Sequence, residues 1–188
     1  MDLVVDYLAV VAEHWPTWVV TIVLIVAAVI DGFELKVPNW ITYPFVISGW
    51  IYSLCAFGWS GLLWSLAGTA LGMSILLLFY MIGGMGAGDV KLMGGVGAWI
   101  HWTNTWYCII GFAVTGALLG IAMVLVRGKW KHHYQQFWHI ATEIMVIRDP
   151  EKLSAIAAER KPTMMLLPYG IPIAIATIGY FLWTGMLA

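Results

Sequence analysis

A carboxylate in a glycine-dense run is the feature of this chain best suited to chemistry. Residues 83 to 91 read GGMGAGDVK, so Asp89 follows four glycines within six residues. The run lies between two apolar stretches, and an acidic side chain at the centre of a membrane costs about 2.5–3.5 kcal/mol on insertion scales, and less near an interface. Glycines let a backbone bend and approach another chain closely. The combination is a hypothesis for a functional site.

Asp31 is the second acidic residue beside an apolar stretch. Two neighbouring carboxylates do not both ionise readily, so one of them keeps a proton near neutral pH. The ionised one can take a proton from water while the protonated one donates to a carbonyl oxygen, which is the acid–base chemistry of aspartic proteases. Gly86 and Gly88 would let an extended substrate backbone lie against the backbone of the enzyme.

Six apolar stretches must position these acids, at about residues 15–30, 40–57, 62–82, 92–101, 105–126 and 164–187. With 188 residues, 62% apolar and 10% charged, the chain is expected to be one all-α domain, residues 1–188, of a polytopic membrane protein. The fourth stretch is too short to cross a hydrocarbon core at about 1.5 Å per residue, so it either extends into the glycine run or is re-entrant.

The basic residues favour six spans. With six crossings, all nine Lys and Arg residues fall in the connections after the first, third and fifth stretches: Lys36, Lys91 and seven between 127 and 161. The positive-inside rule then puts these connections in the cytoplasm and both termini outside it. A re-entrant fourth stretch would move the long basic connection to the other side. Asp31 and Asp89 therefore come to the same, cytoplasmic face of the membrane.

Other patterns bear on packing and ligands. The connection at about 127–162 mixes apolar and charged residues and predicts amphipathic helices on the cytoplasmic interface. Gly68-x3-Gly72 and Gly116-x3-Gly120 would permit close helix contacts. Cysteines 55 and 108 show no CxxC spacing, and the glycine run lacks the Gly-Lys-Ser/Thr of a phosphate-binding loop. We expect no metal, no cofactor and no nucleic-acid partner.

Each acid also has a purely structural interpretation. Asp31 alone could be a solvated or snorkelling group at a helix end, and Asp89 alone could belong to a polar turn whose glycines serve packing. Lys36 and Lys91 are interpreted as flanks that set the topology. The proposed chemistry depends on the two acids being neighbours.

Three blocks of the sequence resemble a known family. Gly86-Ala87-Gly88-Asp89 resembles the GxGD signature of intramembrane aspartyl proteases, and Asp31, followed after five residues by Val37-Pro38-Asn39, is similar to the matching block of type IV prepilin peptidases. Val90-Lys91-Leu92-Met93 continues that pattern, and residues 168–174, PYGIPIA, resemble the C-terminal membrane motif of the family. The similarity covers nearly the whole chain.

The resemblance implies that Asp31 and Asp89 are the catalytic pair and that Gly86 and Gly88 shape the site. It implies an enzyme of the inner membrane, embedded in the lipid bilayer, that cuts a prepilin leader after a glycine at the cytoplasmic face. Only about nine residues join the first two stretches, without the cysteine-bearing segment of larger members, so the chain resembles the compact forms that serve tight-adherence (Flp-type) pili or archaeal preflagellins. N-methyltransferase activity is left open.

Two alternatives remain at this stage. A small transporter or channel could use Asp31 and Asp89 as proton or cation ligands, although such proteins are expected to show internal repeats and none is visible. An inactive assembly factor that keeps the fold would have the same sequence pattern.

Overall fold

The computed structural model describes residues 14–81, 84–127, 142 and 167–187. Its helices in those ranges are α1, Trp15–Glu34; α2, Asn39–Met81; α3, Ala87–Arg127; and α4, Gly170–Trp183. The predicted all-α class is confirmed for the described residues, among which no strand occurs. By length and composition, α1, α2 and α3 could each cross a membrane, and α4 is a shorter apolar helix. These helices support the prediction of a membrane protein.

Helix α2 is folded back on itself at Gly58. The backbone there leaves the helical region, at φ 67° and ψ −156°, a conformation that glycine adopts readily. Trp50 Nε1 donates a hydrogen bond to Thr69 Oγ1 at 3.0 Å. In a straight helix these residues would lie about 28 Å apart, so residues 39–57 and 59–81 form a hairpin.

Helix α3 reverses in the same way at His101, where φ is 64° and ψ is 178°. Met85 and Gly116 line the same cavity, although a straight helix would separate them by about 45 Å. The described helices therefore comprise six helical segments, because α2 and α3 each contain two. Each segment overlaps one of the predicted apolar stretches.

The segment at 87–100 lies at the centre of the protein. Every residue from 92 to 100 is buried, which is typical of a helix enclosed by others on all faces. Glycines make the close approach possible: a Cβ at Gly68 would lie 2.8 Å from the carbonyl carbon of His101, and a Cβ at Gly72 would lie 2.6 Å from the Met93 carbonyl oxygen. The predicted close contact is thus confirmed for the Gly68–Gly72 pair.

The second glycine pair behaves differently. A Cβ at Gly116 would meet only Phe112 of its own helix, at 3.9 Å, and one at Gly120 would meet nothing within 4 Å. The close helix contact that this spacing would permit does not occur among the described residues. Gly116 instead lines a cavity.

Helix α4 lies between α1 and the second half of α3, contacting both. At its C-terminal end, Thr17 Oγ1 of α1 donates to the Met186 carbonyl oxygen at 2.7 Å. Along its length, a Cβ at Gly111 of α3 would lie 3.2 Å from the Cβ of Ala176. The last helix of the chain therefore packs against the first one.

Three predicted boundaries need correction. Helix α1 continues to Glu34 instead of ending near 30, α3 begins at Ala87 instead of 92, and α4 begins at Gly170 instead of 164. At the end of α1 and the start of α3, polar and glycine residues lower the apolar signal, so these two stretches are shorter than their helices. The sixth stretch is instead longer than α4, because Pro168 and Tyr169 precede the helix and lie outside it. The amphipathic helices predicted at about 127–162 lie almost entirely outside the described residues.

Candidate active site

Asp31 lies in the last turn of α1, with 2% of its surface exposed. The helix ends through Leu35, which adopts a left-handed conformation at φ 51° and donates its N–H to the Asp31 carbonyl oxygen at 2.9 Å. A left-handed leucine costs about 1–2 kcal/mol, so the surrounding structure must hold it there. This sharp end turns the chain at once toward Pro38 and α2.

Asp89 lies in the first turn of α3, with 5% of its surface exposed. Its Oδ2 accepts a hydrogen bond from the backbone N–H of Gly86 at 3.1 Å. A carboxylate in the first turn also interacts favourably with the positive end of the helix dipole. The sequence indicated that Asp89 ends a connection between helices. Because α3 begins early, at Ala87, Asp89 lies within the helix.

The dipeptide Tyr169–Gly170 links the two acids. The backbone N–H of Gly170 donates to Asp31 Oδ2 at 2.7 Å, across 139 residues of sequence. Burial and, to a smaller extent, the negative charge of Asp89 raise the pKa of the Tyr169 phenol. Asp31 therefore contacts Gly170, and Asp89 contacts Gly86. The residues that precede these two glycines, Tyr169 and Met85, line the same cavity.

Gly88 lets the acid-bearing turn of α3 approach the connection after α1. A Cβ at Gly88 would overlap the carbonyl oxygen of Val37 and would lie 3.0 Å from the Val37 Cβ. Real Cβ atoms do not approach a backbone oxygen that closely, so only glycine fits here without movement. Gly86 and Gly88 thus have separate roles: the first binds the Asp89 carboxylate and the second allows close packing.

Lys91 ties the start of α3 to the start of α2. Its ammonium group donates to Asn39 Oδ1 at 2.9 Å and to the Tyr43 hydroxyl at 3.1 Å, and it lies 4.6 Å from the centre of the Tyr43 ring. A cation over an aromatic ring is favourable. Besides the topological role expected from the sequence, Lys91 therefore has specific partners in the structure.

Neither Tyr169 nor Gly170 is among the site residues predicted from the sequence. The only signal was the resemblance of residues 168–174 to a family motif. The role of Gly170 in the site depends on a contact between α1 and α4, and no local sequence pattern predicts such a contact.

The arrangement can perform acid–base chemistry. Both carboxylates are buried, and each accepts a hydrogen bond from a backbone N–H. Buried acids that lie close together are the arrangement in which a proton can be held by one and taken up by the other. Among the described residues, no group of three or more His, Cys, Asp or Glu side chains is placed to hold a metal ion.

Comparison with known proteins adds a family. The sequence profile of the type IV leader peptidase family matches residues 18–121. A prepilin leader peptidase/N-methyltransferase from Aeromonas hydrophila is 30% identical over 132 residues, which cover 65% of this chain and 44% of that protein. The protein of the same name from Aeromonas salmonicida strain A449 is 30% identical over 124 residues, 62% of this chain and 40% of that protein. The chain spans less than half the length of these curated relatives. No solved structure matches it significantly.

Proposed function

Because the chain belongs to the type IV leader peptidase family, we propose that it is a membrane aspartyl endopeptidase that removes the leader peptide of prepilin-like precursors. One observation carries this proposal. Asp31 and Asp89 are both buried and are bound by the N–H groups of Gly170 and Gly86, and the residues that precede these glycines, Tyr169 and Met85, line one cavity. A pair of buried acids is the catalytic requirement of aspartic proteolysis.

The reaction is the hydrolysis of one peptide bond. One aspartate, ionised, takes a proton from a water molecule whose oxygen attacks the carbonyl carbon, while the other, protonated, donates to the carbonyl oxygen. The tetrahedral intermediate then collapses: the C–N bond breaks and the amine leaves with a proton from the pair. The backbone N–H groups of Gly170 and Gly86 hold the two carboxylates in position through this sequence.

The proposed topology has six spans, with both termini outside the cytoplasm and the acids at the cytoplasmic face of the inner membrane. The reversals at Gly58 and His101 support it, because each converts one long helix into two antiparallel segments. The distribution of Lys and Arg supports the orientation. At that face a substrate with a single membrane helix presents the junction between its leader and its helix, where cleavage after a glycine is proposed.

The proposal is restricted to the peptidase. The two relatives carry N-methyltransferase in their names, but this chain corresponds to less than half of either. Removal of the leader requires only the two acids, water and a substrate backbone.

Co-expression with a prepilin-type precursor tests the proposal. Asp31→Asn and Asp89→Asn should each lower the rate of leader removal at least about 100-fold, because general acid–base catalysis supplies about 10²–10⁴-fold. Glu34→Gln is the matched control, because this exposed carboxylate lies in the same last turn of α1 as Asp31. Cleavage at the native rate by either asparagine variant would show that the pair is not catalytic. Proton or cation transport lost in both variants, with no cleavage by the native chain, would favour the transporter alternative.

A further inference from the structure

An apolar cavity of about 310 Å³ reaches Met85 and Tyr169, the residues that precede Gly86 and Gly170. It is lined on one side by residues of 59–81, including Phe79, and on the other by the second half of α3. Met85 and Tyr169 form its inner end. Phe79 is 50% exposed, whereas Met85 is 2% exposed, so the cavity runs from the outer surface of the bundle to its interior.

Small residues on one face of α3 create the space. Ala113, Gly116 and Ala117 line the cavity, and their spacing of three and four residues puts them on the same side of the helix. A Cβ at Gly116 would meet only Phe112 of the same helix, at 3.9 Å. The cavity therefore exists because side chains are absent here, and a larger side chain at position 116 has room to enter it.

The inner end of the cavity is next to the catalytic groups. Met85 precedes Gly86, whose N–H binds Asp89, and Tyr169 precedes Gly170, whose N–H binds Asp31. The two glycines that bind the acids are thus the chain neighbours of two residues that line the cavity. A chain whose peptide bond lies between the acids has its next side chains within reach of this space.

We infer that the cavity is a substrate subsite that receives one or two large aliphatic side chains from the apolar helix of the precursor. The inference rests on the proposed peptidase function. The volume is at the lower end of the range of about 300–1,000 Å³ for small-molecule pockets, which suits side chains and excludes a whole helix. Side chains one helical turn apart lie about 5–6 Å from each other and can enter together. Its exposed outer rim at Phe79 gives a membrane helix lateral access.

Filling the cavity tests this inference, with a control on the same helix. Gly116→Leu places a side chain in the cavity, whereas Gly120→Leu places one where a Cβ meets nothing within 4 Å in the described part of the chain. Both changes replace glycine with a better helix former, so neither should weaken the helix itself. The probe is a synthetic precursor with a leader ending in glycine and a leucine-rich helix, together with eight variants that carry single Leu→Ala changes after the cleaved bond.

The native enzyme should show one position, or two positions one turn apart, at which Leu→Ala lowers kcat/KM about 10-fold or more, as expected for loss of a buried aliphatic group. Gly116→Leu should cleave the all-leucine precursor about 10-fold less well and should lose the sensitivity at those positions. Gly120→Leu should keep the native pattern.

Three outcomes would overturn the inference. The first is that Gly116→Leu and Gly120→Leu behave alike with every precursor. The second is that Gly116→Leu slows every precursor by the same factor, as it would if the cavity held a lipid chain. The third is that no position is sensitive in the native enzyme. Failure of the proposed function is distinct, because the native chain would then leave every precursor uncut.

Discussion

Replacing Gly88 with alanine should move the Asp89 carboxylate while leaving the carboxylate itself unchanged. The added Cβ would overlap the Val37 carbonyl oxygen and lie 3.0 Å from the Val37 Cβ. Apolar carbons rest about 3.5–4.0 Å apart, so the two backbones must separate by at least about 0.5 Å. Because one of the clashing atoms is a main-chain oxygen, no change of side chain at position 37 relieves the clash.

That movement sets the size of the expected effect. A misplacement of about 1 Å can cost about 100-fold in rate, so a shift of 0.5 Å or more should slow leader removal by about 10- to 100-fold. Stability should change less, because overpacking costs about 1–3 kcal/mol and alanine regains about 1 kcal/mol of helix propensity. Gly88→Ala should therefore remain folded and bind substrate, with the loss mainly in kcat.

Gly32→Ala is the matched comparison, because Gly32 adjoins Asp31 as Gly88 adjoins Asp89. A Cβ at Gly32 would lie 3.7 Å from the Ile171 Cδ1, which is an ordinary contact. Its rate should stay within about twofold of the native rate, as for a substitution without a clash. Both variants would be purified in detergent, with cleavage of a prepilin reporter measured on gels and unfolding followed by heating. Equal rates for Gly88→Ala and Gly32→Ala would refute the reasoning.

The remaining predictions concern contacts around the site. Gly170→Ala should lower kcat at least about 10-fold, because its added Cβ would lie 3.0 Å from Asp31 Oδ2. Gly179→Ala is the control on the same helix: its Cβ would have nothing within 4 Å, and this variant should cleave at the native rate. Equal rates for the two variants would argue against positioning of Asp31 by the Gly170 amide. Lys91→Met should lower the free energy of unfolding by about 1 kcal/mol or less, because Lys91 and its partners Asn39 and Tyr43 are accessible to solvent. A clearly larger loss in thermal unfolding would contradict this expectation. Gly97→Ala, whose Cβ would overlap the main chain of Gly68, should cost about 1–3 kcal/mol of stability, and an unchanged melting temperature would count against the close packing of the two segments.

Much of the fold follows from the sequence because the chain is organised by apolar stretches and by charge. The six stretches overlap the six helical segments, including the short fourth one. The distribution of Lys and Arg alone predicts that Asp31 and Asp89 lie at the same face of the membrane. In the structure both acids are buried, and the residues that precede the glycines binding them, Tyr169 and Met85, line one cavity. These features depend on composition along the chain, which a sequence reports directly.

Contacts between distant segments could not be predicted in this way. The hydrogen bond between Gly170 and Asp31 joins residues 139 positions apart, and Lys91 reaches Asn39 across 52 positions. Both depend on how whole helices pack, and neither leaves a periodic signal. The apolar cavity is likewise a product of packing, since Gly116 resembles any other small residue of a membrane helix until its neighbours are known.

The shortness of the central segment bears on how the proposed active site is set relative to the bilayer. Residues 87–100 rise roughly 21 Å, about 9 Å less than a typical hydrocarbon core. A helix of that length facing lipid would force the bilayer to thin. Residues 92–100 are instead enclosed by other helices, so the depth of the segment's first turn, which carries Asp89, is set by packing against protein and not by the thickness of the lipid.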